Sequence, residues 1–293
     1  MPVHADYPCY PILDDHEILD NWGSVDSHDT RAWQPFLEGA RAAYFDYQGS
    51  RVSDRADAGD DFDYEVEYGP MAAYVLDLRS NRRTGAAPRL FSRDQETRFC
   101  RFLEKNGGRD ALFVVLSVPA IHLPRWGAKI ASWVTPENED FSDRWSTAGH
   151  ARDRDWLLTH LHRHQKRHPD QRIALLSGDI HIACAHEIVW RDGTRPLLQL
   201  ISSGITHRVG LPTQIASKYS MLANKKIVVE DGKLEARVQP LNAVPKLAEN
   251  PYTKLNLGVV ELERTPSGRY AMRYLIYGRR GRRPVCKYQS AWH

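Results

Sequence analysis

Residues 173–181 read Ile-Ala-Leu-Leu-Ser-Gly-Asp-Ile-His, an apolar run that passes through a glycine to an acid and a histidine. A short continuous apolar run before a glycine is typical of a buried strand. The glycine permits a tight turn, and in an extended segment the i, i+2 spacing would point Asp179 and His181 the same way. Strand-end loops of α/β sheets are common ligand sites. The stretch therefore predicts a strand that ends in a polar site, although a loop with incidental polar residues has the same pattern.

The segments that precede this strand indicate a parallel sheet. Residues 112–116 are a second buried-strand run, and residues 152–168 place apolar side chains on one face of a helix before a proline. A strand, a helix and a strand that follow one another in sequence pair in parallel with a right-handed crossover. A further helix is predicted over 92–105, where Ser92 is a plausible N-cap and Gln95 stands at the capping-box position.

The last third of the chain changes character. Residues 184–190 and 197–201 flank an Asp-Gly turn, and residues 256–263 and 270–277 flank a Pro-Ser-Gly turn. Apolar runs separated by such turns predict antiparallel hairpins. The sequence therefore predicts a mixed α/β (α+β) domain over residues 1–293 whose final third is antiparallel.

Composition excludes several classes of protein. The 293 residues are 42% hydrophobic and 26% charged, which is ordinary for a globular chain. A net charge of +3 is too small to indicate a nucleic-acid partner, so we expect none. No apolar run reaches the length of a membrane span, and the first residues lack the features of a signal peptide. As written, the chain is expected in the cytoplasm.

A second polar cluster, Asp-Asp-His-Glu, occupies residues 14–17 after the short apolar run 10–13, which predicts another strand end. Carboxylates and an imidazole held close together suit a hydrolytic metal centre. The alternative is an exposed acidic turn that caps the following helix, because such turns are common at helix N-termini.

Two further clusters have simpler explanations. His160, His164 and His168 recur at the i, i+4 spacing of metal-binding helices, but basic residues surround them, which favours a solvated helix face. Residues 279–283 read Arg-Arg-Gly-Arg-Arg and could bind phosphates or nucleic acid. A flexible, basic surface tail is the more common role of such a run.

Taken in order, these motifs resemble the PhoD-like phosphatases of the calcineurin-like metallophosphoesterase superfamily. Residues 12–22 resemble the family's D-D-H-E segment, and residues 176–181 resemble its L-S-G-D-V-H segment. Residues 68–83 are similar to its L-D-x-R-s-x-R strand, 91–95 to a helix start with Gln, and 143–145 to a D-x-W motif. The resemblance spans about residues 8–210. It implies a metallophosphoesterase-like β-sandwich flanked by helices, and an alkaline-phosphatase-D-like hydrolysis of phosphate esters, by a phosphatase or a phosphodiesterase.

The resemblance also implies roles for individual residues. His16 matches the histidine that contacts the phosphate and protonates the leaving oxygen. The expected ligands of divalent metal ions (Fe, Ca, Mn or Zn) are Asp15, Asp179 and His181. Further candidates are Asp14, His122 at a weakly matching ligand position, and Arg79, which would either pair with Asp77 beneath the site or reach the substrate phosphate.

The main departure from the family lies before residue 14. There the family carries two further metal motifs, one of which supplies a carboxylate that bridges two ions, but only thirteen residues precede Asp14 and none of them fits. We therefore expect a partial domain that lacks its first strands, with core motifs over 8–210, antiparallel strands over 225–278 and a basic tail over 279–293. Such a chain would hold one ion at most and could be inactive. The alternative function is a non-catalytic remnant or a binding module.

Overall fold

The computed structural model describes residues 7–23, 28, 30–52, 61–84, 87–121, 145, 150–206, 225–229 and 232–293. Its helices are α1 (Gln34–Tyr47), α2 (Arg93–Lys105) and α3 (Ala151–Arg167), with short 3-10 helices at Arg31–Trp33 and Gly49–Arg51. Its strands are β1 (Tyr64–Tyr68), β2 (Met71–Val75), β3 (Ala111–Leu116), β4 (Arg172–Ser177), β5 (Cys184–Trp190), β6 (Leu197–Ile201), β7 (Lys225–Val229), β8 (Leu234–Pro240), β9 (Ala243–Ala248), β10 (Leu257–Arg264), β11 (Tyr270–Arg280) and β12 (Arg283–Ser290).

Eight strands form a mixed sheet in the order β1-β2-β3-β4-β6-β5-β8-β7. Strands β2, β3, β4 and β6 are mutually parallel, and the remaining pairs are antiparallel. The predicted parallel pairing of the two apolar runs is confirmed as β3 and β4. The four parallel strands end at the same edge of the sheet, so the loops that follow them converge there.

A second sheet, of order β10-β11-β12-β9, makes the molecule a sandwich. One face of the eight-stranded sheet packs on α2 and α3, as in the contacts of Val114 with the cluster that holds Phe99 and Leu157. The opposite face packs on the four-stranded sheet through a cluster that includes Phe113 and Tyr274. The expected β-sandwich flanked by helices is therefore confirmed.

Several local predictions hold because they depend on neighbouring residues alone. The hairpins β5–β6 and β10–β11 form around the expected turns. Helix α2 begins directly after Ser92, whose hydroxyl accepts a hydrogen bond of 3.0 Å from the backbone N–H of Gln95. This is the capping contact that the sequence predicts.

Residues 10–13 do not form the predicted strand: within the described range 7–23, residues 8–14 have no regular secondary structure. Pro8 and Pro11 have no N–H to donate to a ladder. The carbonyl of Pro11 instead accepts hydrogen bonds from the hydroxyls of Tyr44 and Tyr64, at 2.9 and 2.8 Å.

The prediction of a basic tail over 279–293 is wrong. Strand β11 continues to Arg280, and β12 lies between β11 and β9 in the second sheet, with Tyr288 fully buried. The arginine run therefore forms the turn of a β-hairpin. The prediction failed because the alternation of buried and exposed residues in β12 is broken by a bulge and preceded by charged residues.

The prediction of a solvated histidine face on α3 is also wrong in part. His164 is only 1% exposed; its ring forms a hydrogen bond of 2.6 Å with Gln171 and packs against the ring of His168. Burial lowers the pKa of His164. The loop after α3 covers this face of the helix, a tertiary contact that helical spacing alone does not predict.

Candidate active site

The loops after the parallel strands meet at one edge of the large sheet. After β4, the N–H of Gly178 donates to the carbonyl of Ser117, which follows β3, at 3.2 Å. After β6, the N–H of Ser202 donates to the carbonyl of Ser177 at 3.0 Å. Asp77 and Arg79 follow β2 at the same edge. The polar residues that the sequence singles out are therefore carried by adjoining loops.

The segment with the Asp-Asp-His-Glu cluster is anchored to this edge by apolar contacts. Leu13, Ile18 and Trp22 are buried in a cluster with Leu37 of α1 and Phe62, which precedes β1. Each fully buried aliphatic or aromatic side chain contributes roughly 1.5–3 kcal/mol. Apolar anchors on both sides thus fix the position of the acidic turn between them.

This turn brings acids from distant parts of the sequence together. Carboxylate oxygens of Asp14, Asp15 and Asp179 all lie within 4.8 Å of one another. Asp15 is 4% exposed, whereas Asp14 and Asp179 are half-buried. Three carboxylates at such distances repel one another unless cations balance their charge.

A buried guanidinium supplies part of that balance. Arg79 is 0% exposed, and its Nε donates to Asp14 Oδ1 at 2.6 Å. Its Nη1 donates to the carbonyl of Trp22 at 2.8 Å, and its Nη2 lies 3.8 Å from Asp15 Oδ1. Arg79 therefore holds the acidic turn from below.

The position of Arg79 is fixed by two residues behind it. The carboxylate of Asp77 accepts hydrogen bonds from the N–H groups of Phe62, Arg79 and Ser80, at 2.8 to 3.0 Å. Burial raises the pKa of Asp77, and these hydrogen bonds oppose the effect. The predicted pair of Asp77 and Arg79 thus exists through the backbone N–H of Arg79, while its guanidinium turns to Asp14.

Gln95 is a residue of this site region whose role the sequence does not reveal. Its side-chain amide accepts from the N–H of Asp77 at 2.8 Å and donates to the carbonyl of Asp77 at 2.9 Å, and it is fully buried. The signals in the sequence are its capping-box position at the start of α2 and the resemblance of residues 91–95 to a helix start with Gln. In the structure its side chain holds the end of β2 instead.

His16 belongs to a second group of candidate ligands. Atoms of Asp15, His16 and Asp20 lie within 4.8 Å of one another. His16 Nε2 is 3.4 Å from Asp20 Oδ1, and both side chains are about 70% exposed. Asp15 accepts a hydrogen bond of 2.9 Å from the N–H of Asn21 and is common to both groups. The imidazole therefore stands on the solvent side of the acidic cluster.

The loop that carries Asp179 is not extended. Asp179 and His181 both have positive φ angles, 63° and 56°, so the alternation assumed for the i, i+2 spacing does not apply. Among the described residues, the two groups of candidate ligands include Asp179 but not His181, which is half-buried two residues further on. His122 lies outside the described residues.

The composition of the site fits a divalent cation. Carboxylate oxygens are the ligands that Ca²⁺, Mg²⁺ and Mn²⁺ prefer, and a nearby imidazole extends the choice to Fe and Zn. Three carboxylates outnumber the one buried guanidinium, so the site can accommodate a further positive charge. An exposed imidazole beside such a site can exchange a proton with a bound molecule.

Comparisons with known proteins place the chain in a family. The model of the PhoD-like phosphatase family matches residues 2–239. The solved structure of PhoD is similar, with a TM-score of 0.56 and 13% sequence identity, over 97% of this chain and 52% of that chain. At this identity the likeness shows the fold alone, and the chain spans about half the length of that protein. No curated protein matches.

One feature of the molecule bears on its relation to membranes. Within the part of the chain that the structure describes, no helix combines the length and the apolar character that a membrane crossing requires.

The family model covers most of the chain, and the fold is that of the solved PhoD. The chain belongs to the PhoD-like phosphatase family.

Proposed function

We propose that this chain hydrolyses phosphate esters, as a phosphatase or a phosphodiesterase, with the help of a divalent metal ion. The observation that carries the proposal is the meeting of Asp14, Asp15 and Asp179 at the strand ends, with His16 beside them. Acids from two motifs far apart in the sequence converge on a point that is open to solvent on the side of the imidazole. Membership of the PhoD-like family supports the same chemistry.

Asp15 and Asp179 are the proposed metal ligands. Asp14 already accepts a short hydrogen bond from the buried Arg79, so its second oxygen is the one available to an ion. His181 is a further proposed ligand from its place in the family motif. An ion at this position would polarise a phosphoryl oxygen and lower the pKa of a water molecule. The candidate ions are Fe, Ca, Mn and Zn, because carboxylate oxygens bind all of them.

His16 is the proposed general acid. In the hydrolysis, a water oxygen forms the new bond to phosphorus, the P–O bond to the leaving group breaks, and the leaving oxygen takes a proton from the imidazolium. The proton that the attacking water loses returns to the imidazole. Asp20, at 3.4 Å, orients the ring. The exposure of His16 lets it reach a substrate that approaches from solvent. Positioned general acids accelerate such reactions by roughly 10²–10⁴-fold.

A second function is favoured by one observation. The guanidinium of Arg79 occupies the place where a second cation could otherwise neutralise Asp14. A site with one ion and an exposed imidazole could bind phosphate groups without turning them over. This would make the chain a metal-dependent binding module.

One experiment separates the two functions. The purified chain is stripped with a chelator and reloaded separately with Mn²⁺, Ca²⁺, Fe²⁺ or Zn²⁺, and hydrolysis of 4-nitrophenyl phosphate and bis(4-nitrophenyl) phosphate is measured. We expect metal-dependent turnover that falls at least 100-fold in His16→Ala and in Asp179→Asn. Asp46→Asn, an exposed acid on α1, is the matched control and should keep full activity.

Calorimetric titration with the same ions completes the design. Metal binding without turnover, lost in Asp179→Asn and kept in Asp46→Asn, would support the binding module. If Asp179→Asn bound every ion as tightly as the unaltered chain, the proposed metal site would be wrong.

A further inference from the structure

The turn between β11 and β12 is strongly basic. Arg279, Arg280, Arg282 and Arg283 flank Gly281 at the tip of this hairpin, and all four arginines are exposed. The last thirty residues of the chain contain eight Lys and Arg residues and no Asp or Glu. Among the described residues, no acidic side chain forms an ion pair with these four arginines. We call residues 279–283 the arginine hairpin.

The arginine hairpin projects from the sandwich at the edge that carries the candidate active site. The start of β10 lies at that edge, because the N–H of Gly258 donates to the hydroxyl of Ser202, the first residue after β6, at 2.6 Å. Strand β11 runs antiparallel to β10, and its partner for Leu257 is Tyr277. Residues 278–280 therefore continue past the start of β10, by about 10 Å at the rise of an antiparallel strand.

A second contact holds the base of the arginine hairpin against the active-site loop. Gly278 packs so closely on the hydroxyl of Tyr252 that a Cβ would overlap it. The backbone of Tyr252 exchanges two hydrogen bonds of 2.8 Å with Ala183. Ala183 stands two residues after His181 in the loop that carries Asp179. The base of the arginine hairpin is thus connected, through Tyr252 and Ala183, to the loop that carries Asp179.

We infer that the arginine hairpin binds anionic groups of the substrate remote from the reacting phosphate, which makes the site selective for phosphodiesters that carry further phosphate groups. The inference rests on the proposed function and names the substrate class of that same site. The carboxylate cluster at the reaction centre repels a polyanion, whereas guanidinium groups bind phosphate oxygens through paired N–H donors. Their attraction extends over about 10 Å at 0.1 M salt.

The test compares two substrates with the same reacting bond. One is the 4-nitrophenyl ester of thymidine 5′-phosphate, with a single phosphate. The other carries the same ester at the 5′ end of a tetrathymidylate, which adds three phosphates. We expect kcat/KM of the wild-type chain to be at least tenfold higher for the longer substrate at low salt, and this advantage to disappear in 1 M NaCl.

The variant Arg279→Gln/Arg280→Gln should lower that advantage about tenfold. The matched control is Arg101→Gln/Arg167→Gln, which removes two exposed arginines from the helices on the opposite face of the large sheet and should keep the advantage. An equal advantage in the wild type and in the hairpin variant, or an equal loss in the control, would overturn the inference.

A binding measurement keeps this test separate from the proposed function. Fluorescence anisotropy of a labelled 5′-phosphorylated tetrathymidylate, at low salt, needs no turnover. If neither ester is hydrolysed, the proposed hydrolysis fails, and binding alone decides the inference. A dissociation constant about tenfold higher in Arg279→Gln/Arg280→Gln but unchanged in the control supports the arginine hairpin as the phosphate-binding element. No difference refutes it.

Discussion

Replacement of Arg79 by methionine tests the electrostatics of the candidate site. The side chain is fully buried and contacts Asp14 at 2.6 Å, the carbonyl of Trp22 at 2.8 Å and Asp15 at 3.8 Å. Methionine fills a similar volume but leaves the two carboxylates without their cation. Removal of one partner of a buried ion pair costs about 3–5 kcal/mol.

The lower end of that range applies here. The side chain of Asp14 is 23% exposed, so water partly replaces the lost guanidinium, whereas Asp15 at 6% is nearly buried. We therefore expect Arg79→Met to lower the free energy of unfolding by about 3 kcal/mol. Urea titration at pH 7, followed by tryptophan fluorescence, measures the change. Arg101→Met, on an exposed face of α2, should change it by less than about 0.5 kcal/mol.

A divalent ion should restore part of this loss. If Mn²⁺ or Ca²⁺ binds the same carboxylates, it takes over the balancing charge, and a free concentration 100 times the dissociation constant stabilises the folded state by about 2.7 kcal/mol. We expect the metal to stabilise Arg79→Met more than the wild type. The reasoning is refuted if the variant unfolds within 1 kcal/mol of the wild type without metal, or if metal stabilises the two proteins equally.

Three further substitutions test features around the site. Burial raises the pKa of Asp153 from 3.8 to about 6, so the folded state binds this proton more tightly than the unfolded chain. Relative to Asp153→Asn, the free energy of unfolding should thus fall by about 2 kcal/mol between pH 4 and pH 6, and the same pH dependence of the two proteins in urea titration would contradict this. Gln95→Leu leaves both backbone groups of Asp77 without partners and should destabilise by about 2–4 kcal/mol; a loss below 1 kcal/mol in urea titration would show that water replaces the amide. Gly278→Ala should lower stability by about 1–3 kcal/mol, whereas Gly39→Ala, with open space around it on α1, should be neutral or stabilising in thermal unfolding; equal melting temperatures would contradict the close contact.

Patterns between neighbouring residues predicted most of the strands near the site. The apolar run of β4 and its terminal Gly178 predicted a buried strand with a polar loop, because continuous apolar runs are needed where both faces of a strand are covered. The hairpins of the last third followed from their turn residues. The cap at Ser92 followed from the same kind of local chemistry.

The supports of the site could not be predicted in this way, because they join residues distant in sequence. The guanidinium of Arg79 donates a hydrogen bond to Asp14, 65 positions earlier in the chain, and the amide of Gln95 pairs with the backbone of Asp77, 18 positions earlier. The capping-box position predicted a local role for Gln95. In the structure its side chain instead pairs with the buried N–H and carbonyl of Asp77 after β2, which would be costly to leave without hydrogen bonds. Helical spacing likewise could not show that His164 is covered by the loop after α3.

The two sets of arginines at this edge differ in how salt should act on them. Arg79 is buried against the carboxylates, where ions from solution do not reach. Its electrostatic attraction for Asp14 and Asp15 should therefore be nearly the same at 0.1 M and 1 M salt. Arg279 and Arg280 are exposed, and their attraction for phosphate should be largely screened at 1 M. Metal affinity, measured at both salt concentrations with a non-coordinating anion, should therefore change much less than the preference for multiply phosphorylated substrates. A parallel fall of both quantities would mean that one electrostatic field, rather than two separate contacts, controls this edge of the sheet.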